Sequence, residues 1–469
     1  MTVTRTTLLL AIPLLLSATP ARALEDIARR IADAAPELAT LWPGFWSGDA
    51  PFLLYRRDGH CVLVSAAPPD ADFSQARGDA RLWRGRCEGA RFRPDFLLDQ
   101  SFGGIDAPAV RVGRRDTAAV ADVLLHEAFH TYQARHFARR NGSRLRFDFP
   151  VRRDLVELKL HETVLLIGAL EAEQPTQRAE RVRMALALRQ ERLQAMEPEA
   201  AEVEDHFMRT EGSAEWVGME ARRTMQRIPD ESAVQRARWR ALERSAGATW
   251  ERLLRWQSYL TGATAFALLH ADGHDWQAAL AAGSAPWALL ESAYGAPWAD
   301  TQLALQQAER INRWARIRRH SAALVRAQRR SDQALARFER HRGFRLELNG
   351  PPSSFDIAFS AHDMHSLRDG MLIVDPNPMV VEAQWLRLDA RRSPVRIADQ
   401  GARIILQLRG RPAVEACPGN GERVCPAGTV LRSRDIEIRL AQPAWLQEES
   451  RTIRLRAAEP HQAEQEPLR

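Results

Sequence analysis

The sequence predicts an α+β protein with three regions of different pattern: a small α/β region, a long helical region and a β-rich end. Three observations carry this expectation. Residues 117–341 repeat apolar residues at i, i+3 and i+4, are rich in Ala, Leu, Arg and Glu, and keep Pro at breaks such as Glu197-Pro198 and Ile228-Pro229. Residues 342–457 carry short β-type runs separated by Gly, Pro and Asn. Residues 24–116 mix one helical pattern with strand signals. The chain has 469 residues, 45% hydrophobic and 27% charged, which excludes a mostly disordered or fibrous protein and suggests two or three domains.

At the start of the chain, Arg5 precedes an apolar stretch over residues 8–16, and Ala21-Arg22-Ala23 forms a small-residue exit. That order is the one found in a secretory signal peptide over residues 1–23, cleaved near Ala23. The apolar stretch is short for a transmembrane helix, and no later run of about 18 apolar residues occurs, so no span is expected after cleavage. The expected location is periplasmic or secreted. The cysteines agree with an oxidising compartment. There are four, and their spacing suggests Cys61–Cys87 and Cys417–Cys425 as disulfides.

The N-terminal region, residues 24–116, opens with helical spacing over residues 24–40. FLLYRR-DG-HCVLVSA then reads as a hairpin turning at Asp58-Gly59, and APAVRVG as a further strand. The WPGFW segment, residues 42–46, reads as either a ligand surface or the core of a small domain. In the last region FRLEL, GMLIVD, ARIILQLRG, DIEIRLA and RTIRLRA are β runs, the pattern of a small sandwich or barrel. Residues 458–469 are polar and read as a disordered tail. The net charge is +6, and Lys159 is the only lysine, so the excess is carried by Arg spread along the chain. We read this as a compositional bias and expect no nucleic-acid partner. The basic stretch over residues 310–342 reads as the solvated face of an outer helix.

The chemistry lies in the helical region. His126-Glu127-Ala128-Phe129-His130 is an H-E-x-x-H motif on a helical segment. Residues four apart on a helix are separated by about 40°, so both imidazoles project from one face and can grip one zinc ion. Glu127 then reaches a water on that ion. A catalytic zinc needs a third ligand. His136 has the spacing of the metzincin pattern H-E-x-x-H-x-x-G-x-x-H, but Gln133 stands where that pattern has the Gly that ends the helix. In a continuing helix His136 lies about 240° around from His130, on the far side.

The alternative third ligand is Glu211. Glu211-Gly212-Ser213-Ala214 resembles the E-G-x-A helix of gluzincins, the zinc peptidases with a glutamate ligand, in their aminopeptidase N-type form. The resemblance covers residues 105–285. It implies a zincin catalytic domain over residues 117–341, Zn2+ held by His126, His130 and Glu211, and Glu127 as general base. It also implies Glu215 as the carboxylate orienting His126, and Tyr259, in a Y-x-x-G with Gly262, as oxyanion stabiliser. A strand over residues 109–112 stands where gluzincins often have an edge strand, to which a peptide can add by backbone pairing. No G-A-M-E-N segment occurs, so aminopeptidase specificity is not implied, and the long gap from His130 to Glu211 calls for an inserted helical pair. The expectation is a secreted or periplasmic zinc peptidase acting on peptide or protein substrates. The alternative is a non-catalytic zinc-containing envelope protein that binds a partner through its β-rich end; a basic module for anionic lipid is a third reading. His161, His206, His270 and His274 read as packed or solvated.

Overall fold

The computed structural model describes residues 20–458 except 71, 88–91, 93–95, 139–151, 229–234, 236–249, 313, 341, 352–354, 362–363, 368–369, 374–375, 391–392, 418 and 420. Most of the expected signal peptide and the expected disordered tail lie outside the described residues. Helices and several sheets are both present, so the fold is mixed α+β. No described helix is long and apolar enough to cross a membrane.

The chain divides into two compact units, Met1–Tyr132 with Val217–Ile228, and Gln133–Trp216 with Pro229–Arg469. Two of the three borders fall inside helices, α3 (Thr117–His136) and α7 (Ser213–Gln226). Element types change near residues 117 and 342; the compact units are drawn differently.

In the first unit the expected single helix over 24–40 is two, α1 (Pro20–Asp33) and α2 (Ala35–Leu38), with Pro36 in the first turn of the second. Six strands follow: β1 (Phe52–Tyr55), β2 (His60–Val64), β3 (Phe73–Gln75), β4 (Leu82–Arg86), β5 (Phe96–Phe102) and β6 (Ile105–Arg111). Their order is β3-β4-β2-β1-β6-β5. The Asp58-Gly59 hairpin forms as expected, with Gly59 at φ 83°, which only glycine adopts without strain. β1 and β6 run parallel, in register Leu53↔Ala109 to Tyr55↔Arg111. β6 pairs with β5 on its other side, Leu97 facing Ala109, so residues 109–111 are not an edge. The expected edge strand is therefore interior, and β5 closes the sheet. Cys61 and Cys87 are joined, as are Cys417 and Cys425. The first closes a loop of 26 residues, worth about 3.5 kcal/mol in chain entropy.

The second unit holds the remaining helices: α4 (Arg153–Leu170), α5 (Pro175–Gln194), α6 (Glu199–Phe207), α8 (Trp250–Ala271), α9 (Gln277–Ala281), α10 (Pro286–Tyr294), α11 (Thr301–Ile311) and α12 (Trp314–Glu339). α4, α5 and α6 occupy the stretch of chain between His130 and Glu211. Arg192 of α5 is fully buried, with its guanidinium bonded to Glu162 of α4 at 2.6 Å and Glu204 of α6 at 2.6 Å. Lys159 reaches Glu204 at 3.2 Å and Glu162 at 3.5 Å. Two cations and two carboxylates thus neutralise one another in the buried interior. Burial alone would raise the Glu204 pKa; the charges of Arg192 and Lys159 reverse this and hold it well below the usual carboxylate range. On α12, Ile317, Leu324 and Phe338 are buried, while Arg318, Arg319, Arg326, Arg329 and Arg337 are exposed, as expected of a solvated outer helix.

Fourteen strands follow among the described residues, in an eight-stranded and a six-stranded sheet. One hydrophobic core takes Leu346, Leu348, Ile404 and Leu406 from the first and Leu386, Leu388, Ile436 and Ile438 from the second. Two layers sharing one core are a sandwich.

Candidate metal centre

α3 carries the H-E-x-x-H motif, and its start and its packing are both specified locally. Asp116 caps the helix, its carboxylate accepting from the Ala119 N–H at 2.7 Å. Val120, Ala121, Leu124, Leu125 and Phe129 are fully buried. The Trp42 and Phe45 rings pack on Phe129 with centroids at 4.8 and 4.9 Å, and the Tyr132 hydroxyl donates to the Pro43 carbonyl at 3.0 Å. The WPGFW segment is therefore packing for this helix. On the other unit-one stretch, Gly218 of α7 is so close that a Cβ there would sit 2.7 Å from the Asp122 carbonyl and 3.2 Å from the His126 Cβ. Only glycine allows α7 that approach to α3.

The two imidazoles come together as the spacing requires. His126 is buried and His130 half-buried, and their Nε2 atoms are 3.3 Å apart with the rings inclined at 81°. Two imidazole nitrogens facing each other at this distance need a proton or a cation between them. For a tetrahedral ion with bonds of about 2.05 Å the edge between ligands is about 3.3 Å, so the separation fits a shared ion.

Glu211 lies on a π-helical turn, Met208–Gly212, between α6 and α7. Turns of this kind are rare and concentrate at functional sites. Each of His126, His130 and Glu211 offers one ligand atom, and these atoms lie within 4.8 Å of one another. The group is able to hold a metal ion. Its donor set is two nitrogens and a carboxylate oxygen.

The π-turn is clamped by side chains that sequence reasoning missed. The buried amide of Gln133 donates to the Thr210 carbonyl at 2.7 Å and to the Ser213 hydroxyl at 2.8 Å. Buried Arg209 donates to the carbonyls of Leu280 at 2.9 Å, Ala138 at 2.9 Å and Ala281 at 3.1 Å. Ser213 in turn donates to the Arg209 carbonyl at 2.5 Å. The residues on either side of Glu211 are thereby fixed. Gln133 stood out in the sequence only as a departure from the metzincin glycine; nothing marked Arg209.

That departure has its structural counterpart. α3 continues through Gln133 to His136, which is exposed and outside the three-residue group. The metzincin alternative is not what forms.

The E-G-x-A and Y-x-x-G segments meet through their glycines. A Cβ on Gly212 would lie 2.7 Å from the Gly262 Cα, and one on Gly262 would lie 2.7 Å from the Gly212 Cα and 2.9 Å from the Met208 carbonyl. α8, which carries Tyr259, crosses the π-turn backbone to backbone at this point. Tyr259 is half-buried three residues before the crossing; Glu127 and Glu215 are also half-buried, one beside His126 and the other in the first turn of α7.

The remaining histidines have ordinary roles. His161 is fully buried, and burial pushes its pKa down to about 4. The Asn312 amide lies 3.2 Å from its Nδ1, placed to donate to the neutral ring. Burial, then the Arg209 charge, lowers His206, with Glu211 opposing. His270 is exposed with its ring against Trp216, and His274 packs against Tyr294. No protein-family model matches the chain, and no curated protein or solved structure is similar enough to match it, so its chemistry has to be argued from this cluster.

Proposed function

We propose that the chain is a zinc-dependent peptidase, matured outside the cytoplasm. The observation that carries this reading is the convergence of His126, His130 and Glu211 with Glu127 adjacent to the first histidine on the same helix. A donor set of two imidazoles and one carboxylate suits zinc with one position left for water. Zinc bound there would supply Lewis acidity, lowering the pKa of its water towards neutrality. Glu127 accepts the proton of the attacking water on a carboxylate oxygen and passes it to the departing amine nitrogen. Tyr259 donates its hydroxyl to the peptide carbonyl oxygen as negative charge grows there. Glu215 orients the His126 ring. The two disulfides and the N-terminal pattern support secretion or a periplasmic location.

The test is a pair of measurements on one variant. Glu127→Gln is expected to bind about as much zinc as the natural chain, by elemental analysis. It should hydrolyse a peptide library about 10²–10⁴-fold more slowly. Full hydrolysis by this variant would remove Glu127 as the base. A natural chain that takes up no zinc on titration would remove the reading altogether.

A further inference from the structure

The positive charge of the chain is concentrated on one helix. Residues 310–342 hold eleven arginines and two acidic residues, a net +9, whereas the whole chain is +6. All other residues together are therefore net negative, and general arginine usage does not account for this stretch. Its body is α12. The buried side of that helix is set by Ile317, Leu324 and Phe338, with Ser321 donating to the Glu157 carboxylate of α4 at 2.8 Å. On a helical wheel Arg319, Arg326, Arg329, Arg337 and Arg340 fall on the opposite side, within an arc of about 80°. All of these arginines are exposed. Arg340 extends the last turn, its N–H bonded to the Ala336 carbonyl at 3.2 Å. The stripe they form is about 30 Å long.

Among the described residues no carboxylate pairs with Arg319, Arg326, Arg329, Arg337 or Arg340. The Arg337 guanidinium donates to the Gln333 carbonyl of its own helix at 3.2 Å. The acidic residues of α12, Asp332 and Glu339, fall about 60° or more outside the arc. By contrast Arg153 pairs with Glu157 at 2.8 Å, and Arg432 and Arg439 pair with Glu437 at 3.1 and 2.6 Å. A helix face that serves only solubility interleaves the two signs, because like charges three or four residues apart repel. Arg326 with Arg329, and Arg337 with Arg340, stand at that spacing with no anion between them. The arrangement carries a cost in the free protein that an anionic partner would remove.

We propose that this face of α12 docks the chain on an anionic lipid surface. A bilayer presents its negative headgroups in one plane, and a straight stripe of cations meets such a plane along its whole length. A nucleic-acid duplex winds its phosphates around an axis, so a straight stripe of this length follows them over a part only. Between the arginines the arc carries Ala322 and Gln333 and no aromatic ring, so it offers nothing on which unpaired bases would stack. The apolar side of α12 is already used in the interior. The contact is therefore adsorption to headgroups, without insertion among the acyl chains. The surface stands apart from the metal reading and does not depend on it.

The experiment sediments the full chain with phosphatidylcholine vesicles containing phosphatidylglycerol, and with phosphatidylcholine vesicles alone, over a salt series. The natural chain is expected to pellet with the first and not the second, and less as salt rises. Two triple variants remove equal charge. One carries Arg326→Gln, Arg329→Gln and Arg337→Gln on α12, where glutamine keeps the helix. The other carries Arg432→Gln, Arg434→Gln and Arg439→Gln, exposed positions of the C-terminal sandwich. The α12 triple is expected to lose vesicle affinity about 100-fold, or about fivefold per arginine, and the C-terminal triple less than about threefold. Arg326→Lys, Arg329→Lys and Arg337→Lys together keep the charge and should keep the binding. If the glutamine triple does not unfold cooperatively on heating, Arg326→Gln and Arg329→Gln singly carry the test, each with its fivefold loss. Pelleting that does not depend on phosphatidylglycerol, equal losses in the two triples, or an α12 triple that binds like the natural chain overturns the proposal. So does a duplex oligonucleotide that binds more tightly than the vesicles and loses that binding in the α12 triple, since the face would then belong to nucleic acid.

Discussion

Gln133 shows how a single residue both excludes one site and assembles another. A glycine here would release the helix; glutamine continues it and spends its amide on Thr210 and Ser213, on either side of Glu211. Replacing Gln133 with Leu keeps the helix and its volume but removes both bonds. Zinc affinity, read by competition with a chromophoric chelator, is expected to weaken about 10–100-fold, with the thermal unfolding still cooperative. An unchanged affinity would show that Glu211 is placed without this clamp. His161 gives a second residue-scale expectation. Its pKa is about 4 when folded against an ordinary 6.5, so between those values the unfolded chain takes up a proton that the folded chain refuses. The contribution is fully present above pH 6.5 and is lost as pH falls from there towards 4, up to about 3 kcal/mol. His161→Gln should flatten the pH dependence of denaturant unfolding in that window.

At the scale of elements, the crossing of α8 over the π-turn depends on two glycines with no room for a methyl group. Gly262→Ala would press its Cβ into backbone at Gly212 and Met208, where nothing can rotate away. The expected cost is about 1–3 kcal/mol in unfolding free energy, together with weaker zinc binding, because the displaced backbone carries Glu211. A variant of normal stability and normal affinity would contradict the packing. These glycines were visible beforehand only as parts of motifs; that they touch is a fact of tertiary structure. The long apolar periodicities, the Asp58-Gly59 hairpin and the five strongest β runs were legible because each is encoded within its own stretch. The three-residue strands Ala413–Glu415, Arg423–Cys425 and Val430–Arg432 were not, since their pairing is dictated by neighbouring strands. β5 was missed for the same reason. Its sequence FLLDQSF does not alternate, and without it residues 109–112 looked like an edge.

For the whole molecule, the α+β composition followed from the change of pattern along the chain. The grouping of His126, His130 and Glu211, which could hold a metal ion, was pointed to by two motifs far apart in sequence, read through a family resemblance. The arginine face of α12 is different. Its charge is plain in the sequence, but that its arginines stay clear of carboxylates is a fact of packing. The buried group of Lys159, Glu162, Arg192 and Glu204 is also non-local, joining α4, α5 and α6 through charges that sequence periodicity does not see. Removing one member of such a group leaves an uncompensated charge out of water, a strongly destabilising change.

One member of that group gives the chain an unusual chemical property. Lys159 is the sole lysine, and it is fully buried. While α4 stays closed, the ε-amine is hidden from acylating reagents and its peptide bond from a lysine-specific endoprotease. The native chain should therefore resist that protease and accept an amine label only at its α-amino end. Each excursion that opens the helical region would expose a single cleavable bond and yield two fragments of fixed length. The rate of their appearance on a gel, followed across denaturant, would time the opening of the core in the natural protein without an introduced probe. Rapid cutting under native conditions would show that Lys159 is accessible after all.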